Sequence, residues 1–143
     1  MIQFGNLRKN FTTGRTMITF DAFKPTEGTP IYQQILLYIK RGAIAGTIRN
    51  GDELPSRRVL SALLGINPNT VQKAFKMLED EALIESQAGA KSTMTLDGEK
   101  IAKLREEVLR EDIRSIATAL RQMGISREEA IRLLSENWEE TES

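Results

Sequence analysis

The sequence contains neither cysteine nor histidine. Without cysteine there are no disulfides and no thiolate chemistry, and nothing points to an oxidising compartment. Without histidine the chain lacks the commonest general base and the commonest metal ligand, so a Ser-His hydrolase or a zinc site has no material to work with. No phosphate-binding glycine loop and no base–nucleophile arrangement of Ser or Lys is present, and an enzyme is not expected. No apolar run comes near the roughly 18 residues needed to span a bilayer. Met1–Thr19 mixes Arg8, Lys9, Asn10 and Arg15 with scattered apolar residues, unlike a signal-peptide core. These absences place the expected protein in the cytoplasm, with no membrane partner, no cofactor and no metal.

Net charge is also missing, with 20 basic and 20 acidic residues. A basic footprint usually marks nucleic-acid binding, so neutrality argues at first sight against it. The distribution is more informative. Met1–Lys24 holds four basic residues and one acidic, Pro25–Asp97 eight of each, and Gly98–Ser143 eight basic against eleven acidic. The acidic surplus lies in the C-terminal third, so a DNA-facing surface in the middle would depend on local placement of charge. What remains is an ordinary globular composition, 40% hydrophobic and 28% charged over 143 residues. That is enough for one domain with an appendage.

Period and punctuation then divide the chain. Met1–Lys24 reads as an N-terminal extension carrying a short strand at Met17–Phe23, where Ile18, Phe20 and Ala22 alternate with polar neighbours. A turn-rich connector leads to a helix from Pro30 to Ala45, with Ile31, Ile35, Leu36, Ile39 and Ala43 at helical spacing. Leu54-Pro55-Ser56 opens the next helix, with Ser56 as N-cap and an apolar stripe of Val59, Leu60, Leu63 and Leu64. Gly65 ends it. After Gly65-Ile66, Asn67 is a preferred N-cap and Pro68 a preferred first helical residue. The helix Pro68–Glu81 buries Val71, Ala74, Phe75 and Leu78, and turns Asn69, Thr70, Gln72, Lys73 and Lys76 outward. Two short helices around a tight glycine turn are the helix-turn-helix pattern. Leu83–Ser86 and Ser92–Leu96, joined by the small, glycine-bearing Gln87–Lys91, predict a β-hairpin placed as a wing.

Asp97 caps a long helix over Gly98–Met123, and Ser126-Arg127-Glu128-Glu129 opens a last one. Their apolar residues, Ile101, Leu104, Val108, Ile113, Ile116, Leu120, Leu133, Leu134 and Trp138, are more than two helices can cover. The remainder is expected to bury against a second copy. The carboxylates Glu106, Glu107, Glu111 and Asp112 read as a solvated face, and Tyr32 and Tyr38 as packing residues. The expected fold is therefore mostly α with a small β-wing. It divides into an extension (1–24), a winged helix-turn-helix (25–97) and a two-helix dimerisation segment (98–143).

Several motifs occur in order at matching distances: Pro30-Ile31-Tyr32-Gln33-Gln34-Ile35, Gly51-Asp52-Glu53-Leu54-Pro55-Ser56-Arg57-Arg58, and Gly65-Ile66-Asn67-Pro68-Asn69-Thr70-Val71. Together with Leu78–Ile84 they resemble the N-terminal domain of the GntR family of bacterial regulators. The short C-terminal part resembles the YtrA-like subfamily. The resemblance implies that Arg58 contacts DNA, that Asn67, Asn69, Thr70, Gln72 and Lys73 lie in the major groove, and that Gly89 approaches the minor groove. Gln87 and Ala88 stand where the family commonly carries arginines, leaving Lys91 as the wing's charge. The uncovered apolar stripe implies a two-fold dimer on a palindromic double-stranded operator, with room for a small-molecule effector at the junction Leu96–Ile101, and the resemblance adds repression with transporter genes as targets. The physical chemistry agrees: Arg57 and Arg58 can neutralise phosphates, while Asn69 and Gln72 can pair with an adenine edge. A winged-helix module for protein or RNA partners is the alternative that the neutral charge leaves open.

Overall fold

The computed structural model describes residues 16–87 and 91–142. The apolar spacing of the first helical segment becomes α1 (Ile31–Ala45), whose buried residues are Ile35, Leu36, Ile39 and Ala43. Gly46 closes it in the left-handed region, and the amides of Gly46, Thr47 and Ile48 all donate to the Gly42 carbonyl. Gly42 is the hidden requirement of this turn. A Cβ there would lie 2.5 Å from Cδ1 of the buried Ile48.

Two residues, Glu53–Leu54, form β1, and α2 (Arg57–Leu64) and α3 (Pro68–Asp80) follow. The hairpin consists of β2 (Ile84–Gln87) and β3 (Lys91–Met94), and β1 joins it to give an antiparallel sheet of order β1-β3-β2. Register is set by Ile84 opposite Met94 and Glu53 opposite Thr93. The core lies between these elements: Ile35 and Ile39 of α1, Leu60 of α2, and Val71, Phe75 and Leu78 of α3 are fully enclosed. The expected mostly helical winged helix-turn-helix is thus what forms.

Three local expectations change. Met17–Phe23 makes only a parallel bridge between Met17 and Glu53, after which the chain turns. Its available edge is β1, which is two residues long and followed by Pro55, a residue with no amide to donate. The alternation instead reflects burial, since Ile18 and Phe20 enter the core. There Phe20 stacks on Tyr38 at 4.9 Å, and the Tyr38 hydroxyl donates to the Thr19 carbonyl at 2.7 Å. Burial, assisted by Asp21, pushes that hydroxyl's pKa up and keeps the donor protonated. In α2 the expected stripe splits. Leu60 is enclosed, whereas Val59 and Leu63 are 49% and 68% exposed. Finally, the third strand begins at Lys91 and ends at Met94, leaving Thr95 and Leu96 beyond it.

α4 (Gly98–Gln122) starts on the Asp97 side chain, which accepts from the Lys100 amide at 2.8 Å. The Lys100 ammonium donates to the carbonyls of Ala82, at 2.7 Å, and Thr95, at 3.1 Å. Ala82 is the non-glycine residue with positive φ among the described residues, and it sits where the chain leaves α3. Described residues up to Arg105 form one compact unit, and those from Glu106 onward a second. The boundary falls inside α4. Leu104 is buried in the first unit's core and Ile101 packs on it. These two were expected on the dimer seam, but the first turns of α4 serve the winged domain. In the second unit, α5 (Arg127–Glu136) begins at Ser126, whose hydroxyl accepts from the Glu129 amide. There Val108 and Leu120 are half-buried, while Ile113, Ile116, Leu133, Leu134 and Trp138 are exposed.

Candidate nucleic-acid interface

The turn between α2 and α3 is made by Gly65 at φ +65°, with the Ile66 amide returning to the Ser61 carbonyl. It is immediately followed by the cap. The Asn67 side-chain oxygen accepts from the Asn69 amide at 2.8 Å, and the Thr70 amide donates to the Asn67 carbonyl. Asn67 thereby fixes where α3 begins, and Pro68 occupies the first helical position. Replacing Asn67 with alanine is expected to lower stability by about 1 kcal/mol. Denaturant unfolding measures this, and an unchanged midpoint would show that the cap is dispensable.

Burying Val71, Ala74, Phe75 and Leu78 leaves Asn69, Gln72, Lys73 and Lys76 exposed and Thr70 half-buried. No acidic residue lies in the first turn of α3, and the first carboxylate along it is Glu79. Its N-terminal half therefore offers amides, a hydroxyl and the Lys73 cation to whatever faces it, along with the helix dipole's positive end. Arg58, in the first turn of α2, is exposed as well. These residues come from two helices held by one short turn.

The remaining candidates are placed differently. Arg57 turns inward: its guanidinium lies 5.0 Å from the Phe75 ring centroid, and its Nη2 is 3.7 Å from Glu79. Its buried Nε has no partner among the described residues. Glu79 in turn accepts from the Ser86 hydroxyl, so Arg57 is a strut linking α2, α3 and β2. Lys76 is paired with Asp80 at 2.7 Å, and that hydrogen bond, with the Asp80 charge, holds its ammonium above the usual lysine range. On the wing, Lys91 pairs with Glu53 at 2.8 Å across β1 and β3. Gly89 lies outside the described residues.

Three contributors escape sequence reading. Glu53 and Glu79 are long-range partners with no local signature. Tyr32, expected only to pack, lies under the Lys73 ammonium, 4.0 Å from its ring centroid. The described residues hold no group of three or more carboxylates fit for a metal ion. None of their helices is long and apolar enough to cross a membrane.

Residues 31–92 match the family described as "Bacterial regulatory proteins, gntR family". The chain carries a GntR-family helix-turn-helix domain. This GntR domain spans α1 through the start of β3, so every described candidate on α2, α3 and the wing falls within it. Over 65 residues the chain is 46% identical to the HTH-type transcriptional repressor YtrA of Bacillus subtilis. That alignment covers 46% of this chain and 50% of YtrA, so the chain spans half the length of that relative. The B. subtilis regulator YhcF is 26% identical over 102 residues, covering 71% of this chain and 84% of its own. Among solved structures, a GntR family transcriptional regulator from Listeria monocytogenes superposes with a TM-score of 0.68 at 29% identity, over 78% of this chain and 98% of that one. A transcriptional regulator from Oenococcus oeni gives 0.58 at 27% identity, over 82% and 98%. The relatives named here are described as regulators of transcription.

Proposed function

We propose that this chain is a sequence-specific, cytoplasmic regulator of transcription, a repressor that binds a palindromic DNA operator as a two-fold dimer. The observation that carries the reading is the exposed, carboxylate-free N-terminal half of α3, set beside Arg58 by the Gly65 turn. Asn69 and Gln72 supply amides suited to a base edge, Thr70 a hydroxyl or methyl contact, and Arg58 and Lys73 charge for the phosphates. Repression is supported by the similarity to YtrA. Dimerisation is supported by the exposed apolar residues of the second unit, and a two-fold pair fits half-sites roughly 34 Å apart. Control by a small-molecule effector acting at the junction Leu96–Ile101 completes the proposal, and targets among transporter genes rest on the family resemblance.

Selection of bound fragments from genomic DNA with the purified protein supplies the operator. On it, Asn69→Ala and Thr70→Ala are each expected to lose about 1–3 kcal/mol of discrimination between cognate and altered sites. Arg58→Ala should instead weaken binding to all sequences and flatten the salt dependence by about one unit of slope. Gel-shift titrations against salt separate the two behaviours. Unchanged selectivity in both α3 variants would sink the major-groove assignment, and retention of RNA in preference to duplex DNA would favour an RNA-binding module.

A further inference from the structure

Lys73 is held differently from the wing and helix lysines around it. Lys76 and Lys91 each face a carboxylate, Asp80 and Glu53. Lys73 has no carboxylate partner among the described residues; its ammonium sits 4.0 Å from the centroid of the Tyr32 ring. The ring is itself placed. It comes from the first turn of α1, packs against the core, and its hydroxyl accepts from the Gln33 side-chain amide at 3.2 Å. An ion-paired lysine must surrender its carboxylate before it can serve a phosphate. A lysine on a ring face is steered without being neutralised, and the ring can stay in place while a phosphate approaches from the other side.

We infer that Tyr32 is a positioning residue for DNA binding, holding Lys73 of the recognition helix ready for a backbone phosphate. The inference rests on the DNA-binding reading above and adds α1 to the elements that shape the interface. It assigns a role to the ring face of Tyr32, and its hydroxyl is not needed.

The test is a double-mutant cycle on the full chain with a mixed-sequence DNA duplex, comparing Tyr32→Leu, Tyr32→Phe, Lys73→Ala and the Tyr32→Leu/Lys73→Ala pair. Tyr32→Phe should bind as the unaltered chain does. Tyr32→Leu should weaken binding about two- to fivefold, as expected for an exposed cation–π contact, and should add nothing once Lys73 is alanine. Independently of DNA, proton NMR should find the Lys73 ε-methylene shielded by the ring in the unaltered chain and in Tyr32→Phe, and released in Tyr32→Leu. A Tyr32→Leu loss that persists in full beside Lys73→Ala would mark a merely structural role and overturn the inference. So would failure of phenylalanine to substitute, or an unshielded ε-methylene. Failure of the underlying reading looks different: the unaltered chain itself would show no salt-dependent retention of the duplex, and the inference would fall with it.

Discussion

Replacing Ile113 and Ile116 together with glutamate is expected to yield a folded monomer that has lost about 10²–10⁴-fold in affinity for a duplex carrying both half-sites. The magnitude is that of bivalency: two linked recognition helices bind as one, and separating them removes the effective concentration of the second. Both isoleucines are exposed in the second unit, at 53% and 49%. In a monomer glutamate there costs little, whereas in a dimer each side chain would contribute roughly 1.5–3 kcal/mol of burial, and a charge in its place would be desolvated. Sedimentation analysis reports the mass, a shift assay the affinity, and thermal melting the integrity of the winged domain. A variant that keeps the mass and operator affinity of the unaltered protein would refute the proposed seam. Ile101 and Leu104 make poor probes of it, because they pack on the first unit's core.

The second large effect concerns the fold that presents α3. Phe75→Ala is expected to lower stability by about 3–5 kcal/mol, the range for truncating an enclosed phenylalanine. Phe75 has no exposed surface, and its ring also lies beneath the Arg57 guanidinium. Its removal leaves a cavity in the core and strips a half-buried cation of the π face it rests on. Against a total stability of about 5–15 kcal/mol this is a major fraction, so loss of DNA binding should accompany it. Urea unfolding supplies the number. A shift below about 1 kcal/mol would mean that α3 is supported elsewhere than on this ring.

How far the sequence reveals this molecule depends on the range of the forces involved. Caps and turns are local, so Ser56, Gly65 and Asn67-Pro68 place α2 and α3 to within a residue. The burial of Val71, Ala74, Phe75 and Leu78 follows from helical period alone. What needs a distant partner is not legible. β1 is two residues long and exists because β3 pairs with it. Arg57 and Arg58 are adjacent and chemically identical, yet about 100° of helix rotation sends one onto Phe75 and Glu79 and the other into solvent. The apolar stripe of α4 looks continuous in sequence, although its first turns complete one unit and its later ones belong to another. In α2, eight residues leave room for one narrow inward face, and Val59 and Leu63 lie outside it.

The ion pairs Lys76–Asp80 and Lys91–Glu53 bear on how binding by this neutral chain is to be measured. Each carboxylate already acts as an internal counterion. When a phosphate takes its place, the freed aspartate or glutamate recruits a cation from solution, offsetting the one displaced from the DNA. The steepness of salt dependence counts net ions released. On the proposed interface it would therefore register Arg58 and Lys73 but pass over the paired lysines, and a shallow slope would reflect internally compensated charge and not a small footprint.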